Sequence, residues 1–182
     1  AALSELGDTI PGVDFDLNGD DGPVVQNGNQ FNFLASPCGT TNDIGGDKTD
    51  DQLSNNGVNI QDAIDIIRHM LFIQQLSSPY QLIAADVNNS HSINILDVIR
   101  VLRKAALIDP YFTNPVTNVQ DAIWTFIPSD HTFAVPTDPY VFPTRRTYVG
   151  PSPSTDQNFV GVKLGDVNNS WNPAVLRTTA PD

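Results

Sequence analysis

Two windows of twelve residues, thirty-five positions apart, carry side-chain oxygens at alternate places. The second runs Asp86-Val87-Asn88-Asn89-Ser90-His91-Ser92-Ile93-Asn94-Ile95-Leu96-Asp97, with Asp86, Asn88, Ser90, Ser92, Asn94 and Asp97 at positions 1, 3, 5, 7, 9 and 12. Such spacing suits a hard divalent cation. Ca²⁺ takes roughly six to eight oxygens at about 2.3–2.6 Å, and alternate residues of a tight loop point inward to supply them. Position 7 gives its backbone carbonyl, so Ser92 need not use its hydroxyl. In the first window Asp51, Asn55, Gly57, Asn59 and Asp62 fit positions 1, 5, 7, 9 and 12, with Val58 at the apolar eighth place. Leu53 at position 3 offers no ligand unless Asp50 or a water takes its place, and an alternative register begins at Asp47 with an insertion.

Two further segments repeat the alternation. Asp166-Val167-Asn168-Asn169-Ser170 matches Asp86–Ser90 residue for residue, but Pro173 intervenes before any helix and Arg177 falls at position 12. It is either a partial site completed by other segments or a polar turn. Asp16, Asn18 and Asp20 also alternate, yet they sit between apparent strands, where a hairpin turn accounts for them. The plain alternative for every such loop is an N-capped helix after polar turns, since Asp, Asn and Ser serve both roles. No constellation for catalysis stands out. His69, His91 and His131 lack metal spacing, no Gly-rich phosphate loop or Gly-x-Ser-x-Gly occurs, and the lone Cys38 allows no internal disulfide.

Composition points the same way. Twenty of the 21 acidic residues are Asp, only Glu5 is Glu, and Asp with Asn makes up 37 of 182 residues. Glu would serve better on a solvated helix; Asp and Asn serve turns, caps and short-reach ligation. A net charge of −12 excludes electrostatic binding to nucleic acid or anionic lipid. Nor does any stretch approach the roughly 18–20 apolar residues of a membrane span. The 40% hydrophobic content supports a core, and the length suggests one or two domains. The start at Ala1, without Met or a signal peptide, fits a mature or excised piece.

The elements that must position these residues read as follows. Residues 1–47 are β-rich, with strands near 13–17, 24–25 and 31–34 and a loop over 37–46. A helix is predicted over 58–76, capped by Asn59, from the recurrence of Ile60, Ala63, Ile64, Ile67, Met70 and Leu71. A short helix follows over 80–85, and a third from Ile95 to Leu107 with Ile95, Val98, Ile99, Leu102 and Ala105 on one face. Residues 111–182 are rich in Pro and aromatics; they read as an extended segment wrapping back over the helices, with short strands near 122–127 and 159–164.

Two EF-hand-like loops in phase, each feeding a helix and each closed by Asp at position 12, resemble the dockerin type I repeat of secreted bacterial proteins. The run Ser78-Pro79-Tyr80-Gln81-Leu82-Ile83-Ala84-Ala85-Asp86-Val87-Asn88-Asn89, the stretch Asn56-Gly57-Val58-Asn59 and the later Phe159–Asn168 are similar to dockerin-like modules in surface proteins of Bacteroidetes-type bacteria. That resemblance implies a small carboxypeptidase-regulatory-type β-sandwich over 1–47, a loop–helix pair over 48–110 and a C-terminal segment over 111–182. It departs from cohesin-binding dockerins at positions 10 and 11, here Ile60-Gln61 and Ile95-Leu96 rather than small polar residues. The expectation is a secreted or cell-surface α+β module that is not an enzyme and is stabilised by Ca²⁺. Its partner would be another protein or copies of itself, joined by strand exchange at an open β edge. Attachment of a secreted enzyme to a partner, or calcium-dependent glycan binding, are the alternatives.

Overall fold

A computed structural model describes residues 1–19, 24–27, 30–33, 41–49, 51, 53–112, 123–149 and 157–173. Among them are β1 (Ala2–Leu3), β2 (Asp14–Leu17), β3 (Val24–Asn27), β4 (Gln30–Phe33) and β5 (Thr41–Asp47). Then come α1 (Ile60–Met70), α2 (Pro79–Ala85), α3 (Ile95–Ala105), β6 (Trp124–Pro128), β7 (Arg145–Val149) and β8 (Phe159–Lys163). The fold is mixed α+β. The chain divides into one compact unit of residues 1–48, 125–132 and 142–161, and another of 49–124, 133–141 and 162–182. The segment 111–182 thus contributes to both.

In the first unit β5 is the central strand of an antiparallel sheet, β2-β5-β7, with Phe15 opposite Gly46 and Asn42 opposite Tyr148. This corrects the loop expected over 37–46 for its part from Thr41 onward. The run Thr41-Asn42-Asp43-Ile44-Gly45-Gly46-Asp47 is weak in β-propensity, but it is paired on both sides and buries Asn42 and Ile44. Arg145 on β7 ties the sheet across its strands by ion pairs to Asp16 and Asp43. A second sheet has the order β1-β8-β6, with β1 parallel to β8, and β3-β4 is a separate hairpin. Ile10, Val13, Phe15, Ile44, Phe126 and Phe159 are buried here, with the Phe15 and Phe159 rings 5.8 Å apart.

The second unit is built on the helices. α1 and α3 are each 11 residues long and start on the same device. Asn59 and Asn94 cap the first turn, and Asp62 and Asp97 reach back to the cap N–H, so two orphan donors are satisfied at each helix start. α1 ends at Met70 with Leu71 as its C-cap, short of the expected 76, because Phe72 turns left-handed with φ 58°. Leu107, at φ 55°, does the same after α3. α2 opens on a Ser78/Gln81 capping box with Pro79 in the first turn, where its missing N–H costs nothing. Val58, Ala63, Ile66, Leu82, Val98, Val101, Phe112 and Val167 are buried in this unit. The buried face of α1 differs from the expected one. Ala63 and Ile66 are covered, whereas Ile60, Ile64, Ile67 and Leu71 are exposed, as are Ile95, Ile99 and Leu102 on α3. Ile60, Ile64, Ile67 and Leu71 form one apolar stripe of α1 and Ala63 and Ile66 lie on the stripe beside it, so periodicity alone did not select the side that is covered.

Candidate metal centre

The window 86–97 joins α2 to α3, and its hydrogen bonds are local. Asp86 Oδ1 accepts from the Ser90 N–H at 3.0 Å, and Oδ2 from the His91 N–H at 2.7 Å. Asn89 and His91 stand at φ 52° and 59°, and these left-handed residues curl the loop around the carboxylate. Ser90 Oγ and Asn94 Nδ2 both donate to the Ser92 carbonyl, at 3.1 and 2.9 Å. The Asn94 N–H donates to Asp97 Oδ2 at 2.9 Å. Asp86, Asn88 and Asp97 are 4%, 3% and 0% exposed. Two of their oxygens, Asn88 Oδ1 and Asp97 Oδ1, are buried without a hydrogen-bond partner. Burial, and after it the charge of Asp86, pushes the Asp97 carboxyl up to about 6. Buried lone oxygens beside two carboxylates are costly unless a cation meets them. The loop therefore passes a test of fit for a hard cation.

The window 51–62 divides. Its second half repeats the loop just described: Asn59 N–H donates to Asp62 Oδ2 at 2.9 Å, as Asn94 does to Asp97. Its first half goes elsewhere. Asp51 is 1% exposed and accepts from Trp124 Nε1 at 2.8 Å, Trp171 Nε1 at 2.8 Å and Lys163 Nζ at 2.6 Å. Asn55 donates through Nδ2 to the Ala105 carbonyl at 2.9 Å, and Leu53 is exposed. The structure thus does not bring Asp51 and Asn55 together with Gly57, Asn59 and Asp62 as one oxygen set.

The segment 166–170 stands in their place. Asp166 Oδ1 accepts from the Ser170 N–H at 2.8 Å and Oδ2 from the Trp171 N–H at 2.9 Å, matching Asp86 with Ser90 and His91. Asn169 has φ 55°, the counterpart of Asn89. Ser170 Oγ donates to the Gly57 carbonyl at 3.0 Å, as Ser90 Oγ does to Ser92. Asn59 Nδ2 lies 3.2 Å from Ser170 Oγ, and the Val167 and Asn168 N–H groups donate to Asp62 Oδ1 at 3.0 and 3.3 Å. Leu164 N–H to Ile123 O and Gly165 N–H to Ala84 O, both 2.8 Å, anchor the segment. Gly57 has φ 83°, and a Cβ there would stand 2.7 Å from Asp166 Oδ2 and 2.9 Å from the Trp171 backbone. Burial, reinforced by the charge of Asp166, pushes Asp62 up to about 7. Burial also raises Asp166, with the Ser170 and Trp171 N–H groups and the charge of Lys163 opposing it.

Two sets of oxygen-bearing residues with matching turns result: Asp86, Asn88, Ser90, Ser92 O, Asn94 and Asp97, and the composite Asp166, Asn168, Ser170, Gly57 O, Asn59 and Asp62. They differ in that Asn168 is exposed and Asp62 Oδ1 is met by N–H groups, whereas Asn88 Oδ1 and Asp97 Oδ1 are buried without a partner. Each has two carboxylates and otherwise neutral oxygens. That chemistry suits an alkaline-earth ion rather than zinc or copper. The sequence signal for the composite set was the exact repeat of Asp86–Ser90 at 166–170; what it lacked was the partner half-loop. Asp16 and Asn18 form no comparable set. Asp16 pairs with Arg145 and accepts from the Gly19 N–H, while Asn18, at φ 59°, bonds the Asp43 N–H and Asn42. Asp20 lies outside the described residues. Compared with known proteins, the chain matches no family model, and no curated protein or solved structure matches it.

Proposed function

We propose that this chain is a non-enzymatic, calcium-stabilised module of a secreted or cell-surface protein, with a structural or interaction role such as a filament, sheath or adhesin unit. The observation that carries the reading is the pair of buried oxygens without hydrogen-bond partners, Asn88 Oδ1 and Asp97 Oδ1, in a loop that also buries Asp86. One ion would be held by the 86–97 set and a second by the composite set of 57–62 and 166–170. When bound, Ca²⁺ supplies the positive charge that offsets each pair of buried carboxylates. The donors meet only in the folded chain, so binding adds to folding stability. The dockerin resemblance agrees with this reading.

A docking role, attaching a larger secreted protein to a partner, is favoured by a separate observation. The outer stripes Ile60, Ile64, Ile67, Leu71 and Ile95, Ile99, Leu102 are exposed on α1 and α3, the same helices whose N-termini close the two oxygen sets.

Titration of the chelator-stripped chain with Ca²⁺, followed by calorimetry and native mass spectrometry, is expected to give two ions per chain. Calcium at about a hundred times Kd stabilises by roughly 2.7 kcal/mol per site, about 5.4 kcal/mol for two sites, which corresponds to a total rise in Tm of roughly 10–20 °C. Superimposable melting curves for the stripped and calcium-loaded chain would sink the reading.

A further inference from the structure

His91 occupies the sixth place of the loop 86–97 with φ 59°, a backbone state that glycine takes freely and other residues resist. The strained residue does specific work, because its N–H makes the shortest bond in the loop, 2.7 Å to Asp86 Oδ2. His91 is exposed on the loop surface, yet its ring is not idle. It stacks on the ring of Tyr140 with centroids 5.3 Å apart and planes within 4° of parallel. Tyr140 arrives from a segment about fifty residues away in sequence and is half-buried. Burial first, and then the charges of Asp86, Asp97 and Asp138, push its hydroxyl up to about 12, which is a second sign that the ring lies beside the carboxylates of this loop.

The composite set shares the hydrogen bond and the ring contact but not the backbone state, because Trp171, unlike His91, is not left-handed. Trp171 follows Ser170 as His91 follows Ser90, and its N–H bonds Asp166 Oδ2 at 2.9 Å. Its ring is held edge-on against Trp124, with centroids 5.1 Å apart, and by the bond from Nε1 to Asp51. In both places an aromatic residue stands next to the third side-chain ligand, its N–H holds the far oxygen of the leading Asp, and a distant aromatic ring holds it.

We propose that Tyr140 is a positioning residue for cation binding by the loop 86–97: its ring, stacked on His91, keeps the sixth residue left-handed and so presets the orientation of the Asp86 carboxylate. The proposal rests on the calcium reading above. Presetting reduces the ordering cost at the moment of binding, so its loss appears as weaker affinity rather than as a missing ligand. Glycine at the sixth place takes the left-handed state unaided, which makes the stack dispensable.

The test is a calcium titration of the full chain, read by NMR at the amide of Ser90 and the amide that follows it for this loop, and at the Ser170 and Trp171 amides for the composite set. Tyr140→Ala is expected to weaken binding at the first pair of amides about fivefold to tenfold, the size set by the left-handed penalty, and to leave the second pair unchanged. Tyr140→Phe keeps the ring and should bind as the parent chain does. In a His91→Gly background, Tyr140→Ala should change affinity less than about twofold. If Tyr140→Ala does not fold, Tyr140→Leu retains the apolar bulk without the flat ring and should show the loss in the same direction. Unchanged affinity in Tyr140→Ala or Tyr140→Leu, or an equal loss with and without His91→Gly, overturns the proposal. Absence of any saturable shift in the parent chain is a different result: it removes the calcium reading and the proposal with it.

Discussion

Replacing Asp51 by Asn separates a ligand from a structural carboxylate. By spacing alone Asp51 leads a calcium loop, and its loss would cost one ion. In the folded chain its carboxylate is 1% exposed and takes three hydrogen bonds, two from indoles and one from an ammonium 2.6 Å away. Both side chains of the Asp51–Lys163 pair are sealed from water, at 0% and 2% exposure. Asn keeps the shape but removes the charge that faces Lys163 and turns a donor toward one of its three donors. Breaking a buried pair from one side costs about 3–5 kcal/mol, because the remaining charge stays buried. Against a total stability of about 5–15 kcal/mol this is a large fraction, and it corresponds to a fall in Tm of roughly 6–20 °C. The assay is thermal and urea unfolding in saturating calcium, with the bound ions counted by native mass spectrometry. Asp51→Asn should be much less stable and still bind two ions. A variant that binds a single ion while melting within a degree or two of the parent under calcium-free conditions would refute this assignment and restore Asp51 as a ligand.

Two further outcomes follow from the same geometry. Gly57→Ala should cost about 2–4 kcal/mol and lose the composite ion, because a left-handed penalty of about 1–2 kcal/mol is joined by overlap with Asp166 and Trp171. Gly7→Ala, at φ 89° with nothing within 4 Å, supplies the conformational penalty alone and should keep both ions, so equal effects of the two would argue against crowding at the site. Lys104 is 1% exposed, donates to the Pro110 carbonyl at 2.6 Å, and is lowered to about 8 by burial first and by Lys163 second. Between about pH 8 and its ordinary 10.5 the unfolded chain holds a proton that the folded chain sheds, so this group makes stability rise with pH by up to about 1.4 kcal/mol per unit. The stability of Lys104→Met relative to the parent chain should therefore fall between pH 8 and 10 in urea denaturation; a difference independent of pH would show that the buried ammonium is not the cause.

Much of the second unit was legible because its bonds are short in sequence. The Asn59/Asp62 and Asn94/Asp97 boxes close over three residues, and the turn around Asp86 closes over four and five. Residue type and spacing determine such contacts almost without help from the rest of the chain. The first unit was less legible. The glycine-bearing run at 41–47 has little preference for a strand and forms one because β2 and β7 pair with it on either side.

The sequence by itself therefore determined the parts: the helices and their caps, the loop 86–97 with its full set of oxygens, and the repeated pentad at 166–170. Only the tertiary structure decided how the parts combine. Asp62 receives the Val167 N–H from 105 residues away, and Asp51 meets Trp124, Lys163 and Trp171 from 73, 112 and 120 residues away. No local period encodes such pairings. They depend on which buried surfaces exclude water together, and that decides which of two equally spaced aspartates keeps its own loop's N–H groups and which is paired with a buried lysine.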